Sequence, residues 1–239
     1  TTPEEKLARF EAAGIDEVVF LEFTTAFAAL SPAQFAKQVL CDGIGTRELF
    51  VGEHFAFGKG RAGRIADLLE LGAQLGFRVH PTPPVTIDGE VVSSTKIRQM
   101  IQAGDLQKAI RFLGRPYGIE GRVIPGAHRG TELGWPTANL RLPEGRVIPP
   151  DGVYAARVLW NGRALDSVVY IGTRPTFGAG ERLLEVSILD ERLELYGETI
   201  RVELLGFVRE DRVFASAEAL SRQIELDVEA ARIQLREGA

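Results

Sequence analysis

The chain of 239 residues carries one cysteine, one methionine and three histidines. A lone Cys41 cannot close an internal disulfide, so a packing role and a reducing, cytoplasmic setting are expected for it. No stretch approaches the roughly 18 consecutive apolar residues of a spanning helix, and no basic-then-apolar leader opens the chain. A membrane location is therefore not expected. Dense blocks of Lys and Arg are missing too, and the formal charge is only −5, which argues against a nucleic-acid partner. Nucleotide binding through local loops stays open. What remains is ordinary: 45% hydrophobic and 26% charged residues, with length enough for two modest domains that each bury a core.

The first half alternates between helical and strand periods. Thr2, Pro3 and Glu5 form a capping box ahead of a helix that stops at Gly14. A chain opening on such a cap looks like part of something longer. Glu17 to Phe23 is a β-rich run, Ser31-Pro32-Ala33-Gln34 opens a second helix, and Glu48 to Val51 is a short strand. Ile65 to Leu75 is a helix ending at Gly76, and Phe77 to His80 is the next strand. Strands and helices at this interval predict βαβ units and a parallel sheet, with ligands at the carboxyl ends of the strands. Ser93-Ser94-Thr95-Lys96-Ile97-Arg98 starts a further helix, whose free N–H groups suit a phosphate. The alternative is that Ser94 merely caps it.

At Gly114-Arg115-Pro116-Tyr117 the pattern changes, which divides the chain into residues 1–115 and 116–239. Runs of strand length follow: Tyr117 to Ile124, Gly152 to Trp160, Leu165 to Ile171, Arg182 to Leu189 and Thr199 to Phe207. They predict a small antiparallel barrel. Ser216 to Glu237 closes the chain as a helix with Leu220, Ile224, Val228, Ala231 and Leu235 as its packing stripe.

The barrel half holds the segments that point to chemistry. In Gly134-Trp135-Pro136-Thr137-Ala138-Asn139, the proline makes a central strand unfavourable, while Thr137 and Asn139 offer two oxygens to a hard cation such as Mg2+. A turn stabilised by the Asn side chain is the competing reading. Gly126-Ala127-His128-Arg129-Gly130 is a glycine-rich run able to face a phosphate. In Arg182-Leu183-Leu184-Glu185-Val186-Ser187-Ile188-Leu189, alternation puts Glu185 on the face opposite Leu184 and Val186. Facing into a small barrel, Glu185 would have to be paired or functional; facing outward, it would be a solvated strand residue.

These segments, with Asp151-Gly152-Val153-Tyr154-Ala155 and Ile171-Gly172-Thr173-Arg174-Pro175-Thr176-Phe177, resemble in order and spacing the riboflavin kinase module of the bacterial bifunctional riboflavin kinase/FMN adenylyltransferase family. Upstream, Val51-Gly52-Glu53-His54-Phe55-Ala56-Phe57-Gly58 and the Ser93 to Arg98 motif resemble the adenylyltransferase half. The resemblance implies an incomplete Rossmann-like nucleotidyltransferase domain followed by a riboflavin kinase barrel with a terminal helix. It implies ATP and riboflavin as substrates and Mg2+ as cofactor. Phosphates would meet Gly126, Arg129 and Gly130, the metal Thr137 and Asn139, and the flavin Arg209 and Asp211, with Glu185 as the base. Ser94, Thr95 and Arg98 would hold the triphosphate of the other half.

Departures from the family pattern are His54, His128 and Tyr170, the last standing where a small or amide residue is commoner. The His-x-Gly-His pair of nucleotidyl transfer is not formed by His54, His80 or His128, so adenylylation of FMN is not expected of this chain. Without a first strand, the parallel sheet would expose an apolar edge that invites self-association. Two alternatives stay open: a complete bifunctional enzyme whose first segment is missing from this sequence, and a flavin- or nucleotide-binding module without catalysis.

Overall fold

The computed structural model describes residues 2–125, 135–142, 145–173 and 182–237. The chain divides into two compact units, Thr1–Val91 and Val92–Ala239.

In the first unit, α1 (Pro3–Ala12) opens on the expected capping box, with Thr2 Oγ1 accepting from the Glu5 amide at 3.3 Å and Glu5 Oε2 accepting from the Thr2 amide at 3.1 Å. Next come α2 (Thr25–Ala28) and α3 (Pro32–Gln34), the latter continuing as a π-helix over Phe35–Ile44. Then β1 (Glu48–Gly52), α4 (Ile65–Leu75) and β2 (Arg78–Thr82) make one βαβ unit, its strands parallel with Glu48 opposite Arg78. Ala36, Leu40, Phe57, Leu68 and Phe77 form its core. A short hairpin, β3 (Thr86–Ile87) and β4 (Glu90–Val91), turns at Asp88 and Gly89, both with positive φ.

Glu17 to Phe23 differs from expectation. It forms no strand, and Phe20 and Phe23 are 60% and 78% exposed. Strand propensity measures how well a residue suits a pleated, half-buried surface, and no neighbouring strand supplies one here among the described residues.

The second unit opens with α5 (Ser94–Gln102) and α6 (Leu106–Leu113). Sequence pattern groups these helices with the α/β half, but their apolar faces pack elsewhere: Ile101, Leu106 and Ala109 join the same core as the barrel strands. Six antiparallel strands follow: β5 (Tyr117–Ile124), β6 (Ala138–Arg141), β7 (Gly152–Trp160), β8 (Arg163–Thr173), β9 (Arg182–Ile188) and β10 (Thr199–Glu210). They close in the order β10-β5-β6-β9-β8-β7. The β7–β8 turn uses Asn161 and Gly162 at φ 47° and 74°, the two positive values that a two-residue hairpin loop needs.

Strand β6 was not expected. Pro136 lies two residues before it, so its missing N–H costs no ladder bond, and the strand is only four residues long.

The barrel interior is filled by Ile119, Leu140, Tyr154, Val169, Ile171 and Leu184 among others. A second cluster lies on the outer surface, where α7 (Ala217–Glu237) lays Val228, Ala231 and Leu235 over Val153, Ala155, Val168 and Leu189. At roughly 1.5–3 kcal/mol for each fully buried aliphatic side chain, this stripe is enough to hold the helix down. Among the described residues no helix is long and apolar enough to cross a membrane.

Candidate active site

Cross-strand register assembles the site. Asn139 of β6 stands opposite Glu185 of β9, which stands opposite Tyr170 of β8; Tyr170 in turn faces Val153 of β7, and Val153 faces Arg209 of β10. Directly paired residues share one face of a sheet. This row lies on the outer face, because Leu184, Val186, Leu140 and Val169 point into the interior core, while Val153 and Tyr170 belong to the cluster beneath α7.

Glu185 therefore does not point into the barrel. Nor is it a solvated strand residue: it is 8% exposed, and Asn139 beside it is 3% exposed. Asn139 Oδ1 is buried with no hydrogen-bond partner, and a carbonyl oxygen left so costs about 1–3 kcal/mol unless something fills its lone pairs. Thr137 stands just before β6 and helps to line a cavity of about 490 Å3 together with Pro136, Ala138, Val186, Leu193, Leu195 and Tyr196. That volume lies in the range of small-molecule sites, about 300–1,000 Å3.

Arg209 is placed in the row but its fork is occupied. Its Nε donates to Asp227 Oδ1 and its Nη2 to Asp227 Oδ2, each at 2.8 Å, and Gln223 Nε2 donates to the same carboxylate at 2.8 Å. Both partners are largely buried, and the guanidinium also lies 5.5 Å from the centre of the Phe214 ring. Arg209 thus locks α7 to β10. Asp211 is exposed, and it touches the row only through its charge near the Tyr170 phenol. Burial, then the charges of Asp211, Glu185 and Asp151, push the Tyr170 phenol up to about 12. Behind the row, Arg182 Nε donates to Asp151 Oδ1 at 2.6 Å and its Nη2 to the Pro149 carbonyl at 2.5 Å, while Tyr154 donates to the Pro150 carbonyl at 2.5 Å.

The remaining expected residues separate. Gly126, Arg129 and Gly130 lie outside the described residues. Ser94, Thr95 and Arg98 are exposed on the first turns of α5, where the capping hydroxyl is that of Ser93, accepting from the Lys96 amide at 3.3 Å. Among the described residues no cluster of three His, Cys, Asp or Glu side chains is arranged to hold a metal. A cation here would need oxygens from a substrate as well as from protein. Sequence reading missed Asp151 and Arg182 as supports and took Tyr170 only as a departure; the signal that unites them is register, which pairs residues far apart in the chain.

The riboflavin kinase family model matches residues 113–235, and the FAD synthetase model matches residues 1–96. A bifunctional riboflavin kinase/FMN adenylyltransferase of Pseudomonas fluorescens is 41% identical over 97% of this chain and 77% of its own length. Its counterpart in Escherichia coli K12 is 38% identical over 97% of this chain and 74% of its own. A crystal structure from Streptococcus pneumoniae, named as a macrolide-efflux protein, superposes at a TM-score of 0.88 with 31% identity, covering 97% of this chain and 74% of that one. The chain belongs to the bifunctional riboflavin kinase/FMN adenylyltransferase family.

Proposed function

We propose that the barrel unit transfers the γ-phosphoryl group of ATP to the 5′-hydroxyl of riboflavin, giving FMN and ADP. Support comes first from the buried Asn139–Glu185 pair, which sets a carboxylate beside a carbonyl oxygen that lacks a partner. Phosphoryl transfer asks the protein mainly for positioning and charge neutralisation, with a base for the accepting hydroxyl. Glu185 is that base: it takes the ribityl 5′-O–H proton as the oxygen bonds to the γ-phosphorus and the bond to the ADP oxygen breaks.

The free lone pairs of Asn139 Oδ1 fit a hard cation, so Thr137 and Asn139 would hold Mg2+ together with phosphate oxygens and water. Bound there, Mg2+ neutralises charge on the phosphates of ATP. The cavity beside Thr137 takes the nucleoside end of ATP, and Gly126, Arg129 and Gly130 contact its phosphates. Arg209 shapes the flavin slot indirectly, by holding α7 in place, and Asp211 meets the flavin directly. Ser94, Thr95 and Arg98 offer a separate phosphate contact on α5.

Glu185→Gln keeps the shape and removes the base. FMN formation should fall by roughly 10²- to 10⁴-fold with riboflavin binding nearly unchanged. An unaltered kcat would exclude the role.

A further inference from the structure

The stretch between β9 and β10 carries no sequence motif, yet each of residues 191–196 lines the cavity that Thr137 also borders. Alternation decides which side chains turn inward: Leu193 and Leu195 pack on the barrel core, while Glu191, Arg192 and Glu194 stay exposed. Across residues 191–194 no backbone hydrogen bond to another described residue holds the main chain. Upstream, the Leu189 amide still donates to the Asp166 carbonyl at 2.9 Å; downstream, bonding resumes at the Leu195 carbonyl, which accepts from the Glu198 amide at 3.0 Å. Such a wall takes its position from side-chain anchors.

The upstream anchor is a bidentate ion pair to α7. Arg232 Nη1 donates to Asp190 Oδ2 at 2.8 Å, and its Nη2 donates to Oδ1 at 2.6 Å. Arg163 Nη2 adds one bond to Glu191 Oε1 at 2.5 Å. Asp190 stands at φ 66°, where the chain leaves β9 and turns into the wall. Glycine takes that conformation most readily, and Asp is among the few other residues that visit it. What Asp adds is a carboxylate, and Arg232 engages both of its oxygens. Arg232 is itself held by its helix, because Ala231 and Leu235 beside it are buried in the stripe that packs α7 on the barrel. A planar fork fixes direction as well as distance, which the point charge of a lysine does not.

We infer that Arg232 is a positioning residue for the nucleotide: through Asp190 it holds residues 191–196 in place as a wall of the cavity. This inference rests on the riboflavin kinase reading above, which puts the nucleoside end of ATP in that cavity. It assigns to Arg232 an effect on ATP and none on riboflavin.

The test is steady-state FMN formation by the full chain with riboflavin, ATP and Mg2+. Both side chains of the pair are partly exposed, so its effect is bounded by what one surface ion pair of good geometry can supply. Arg232→Gln should raise the ATP KM by about three- to fivefold, with kcat and the riboflavin KM unchanged. Arg232→Lys keeps the charge and loses the fork, and its ATP KM should fall between those of Arg232→Gln and the parent. Asp190→Asn suits the same positive φ and should match Arg232→Gln. The double variant should be no worse than either single one, because both remove the same pair. Arg222→Gln, at an exposed position of the same helix, should keep the parent's ATP KM. An unchanged ATP KM in Arg232→Gln, an equal rise in the riboflavin KM, additive effects in the double variant, or a matching rise in Arg222→Gln would each overturn the inference. Failure of the parent chain to make FMN would instead refute the riboflavin kinase reading, before any variant is compared.

Discussion

At the residue scale the site turns on one buried oxygen. Asn139 Oδ1 is enclosed without a donor, an arrangement a fold tolerates where a ligand completes it. Replacing Asn139 or Thr137 by Ala should raise the Mg2+ concentration for half-maximal FMN formation, by about tenfold for Asn139, equivalent to about 1.4 kcal/mol. Mg2+ titrations that superpose on those of the parent would make Pro136-Thr137-Ala138-Asn139 a structural segment only. The sequence names Thr137, Asn139 and Glu185 as candidates through their motifs, and the structure pairs Asn139 with Glu185. The side of the barrel they occupy was not legible in the sequence. Alternation along Arg182–Ile188 separates two faces but cannot say which of them is interior, and Glu185 on the outer one is buried as well.

At the element scale, caps are the most readable features, because each depends on a few adjacent residues: the capping box at Thr2 and Gly76 after α4 both lie where expected. Pairing was not readable. Glu17 to Phe23 has the composition of a strand and no strand partner among the described residues, whereas Ala138–Arg141 has an unfavourable flank and two partners, β5 and β9. Ladder partners decide the first and the second alike. The clasp between α7 and β10 can be tested directly. Asp227→Ala leaves the Arg209 guanidinium largely buried without its carboxylate, and breaking such a pair costs about 3–5 kcal/mol. Both tryptophans, Trp135 and Trp160, lie in the barrel unit, so the urea midpoint followed by tryptophan fluorescence reports on that unit. A midpoint equal to the parent's would show that the clasp is dispensable.

The same unit should be sensitive to alkali. Burial is the first cause that raises Tyr154 and Tyr170, each to about 12, against an unfolded value near 10. Between those values the unfolded chain gives up phenolic protons that the folded one keeps. It binds fewer protons, so stability falls as pH rises from about 10 to 12, and is fully present below that window. Urea midpoints between pH 8 and 11 should decline above pH 10, less steeply in Tyr170→Phe. Identical slopes for parent and variant would contradict the burial of that phenol.

At the scale of the whole molecule, the chain matches two family models in succession, and its two compact units divide near, though not at, the junction between them. Helices α5 and α6 pack with the barrel although α5 begins inside the FAD synthetase match, so sequence family and packing partition this stretch differently. In the first unit, His80 is engaged by Glu48 at 2.5 Å and stacks on Phe50, and none of the three histidines stands in a His-x-Gly-His pair. The 239-residue chain is expected to phosphorylate riboflavin. The most direct measurement incubates it with riboflavin, ATP and Mg2+ and separates the flavins by chromatography. FMN accumulating with turnover is the predicted result; riboflavin bound but returned unchanged would contradict the account and make the barrel a binding module.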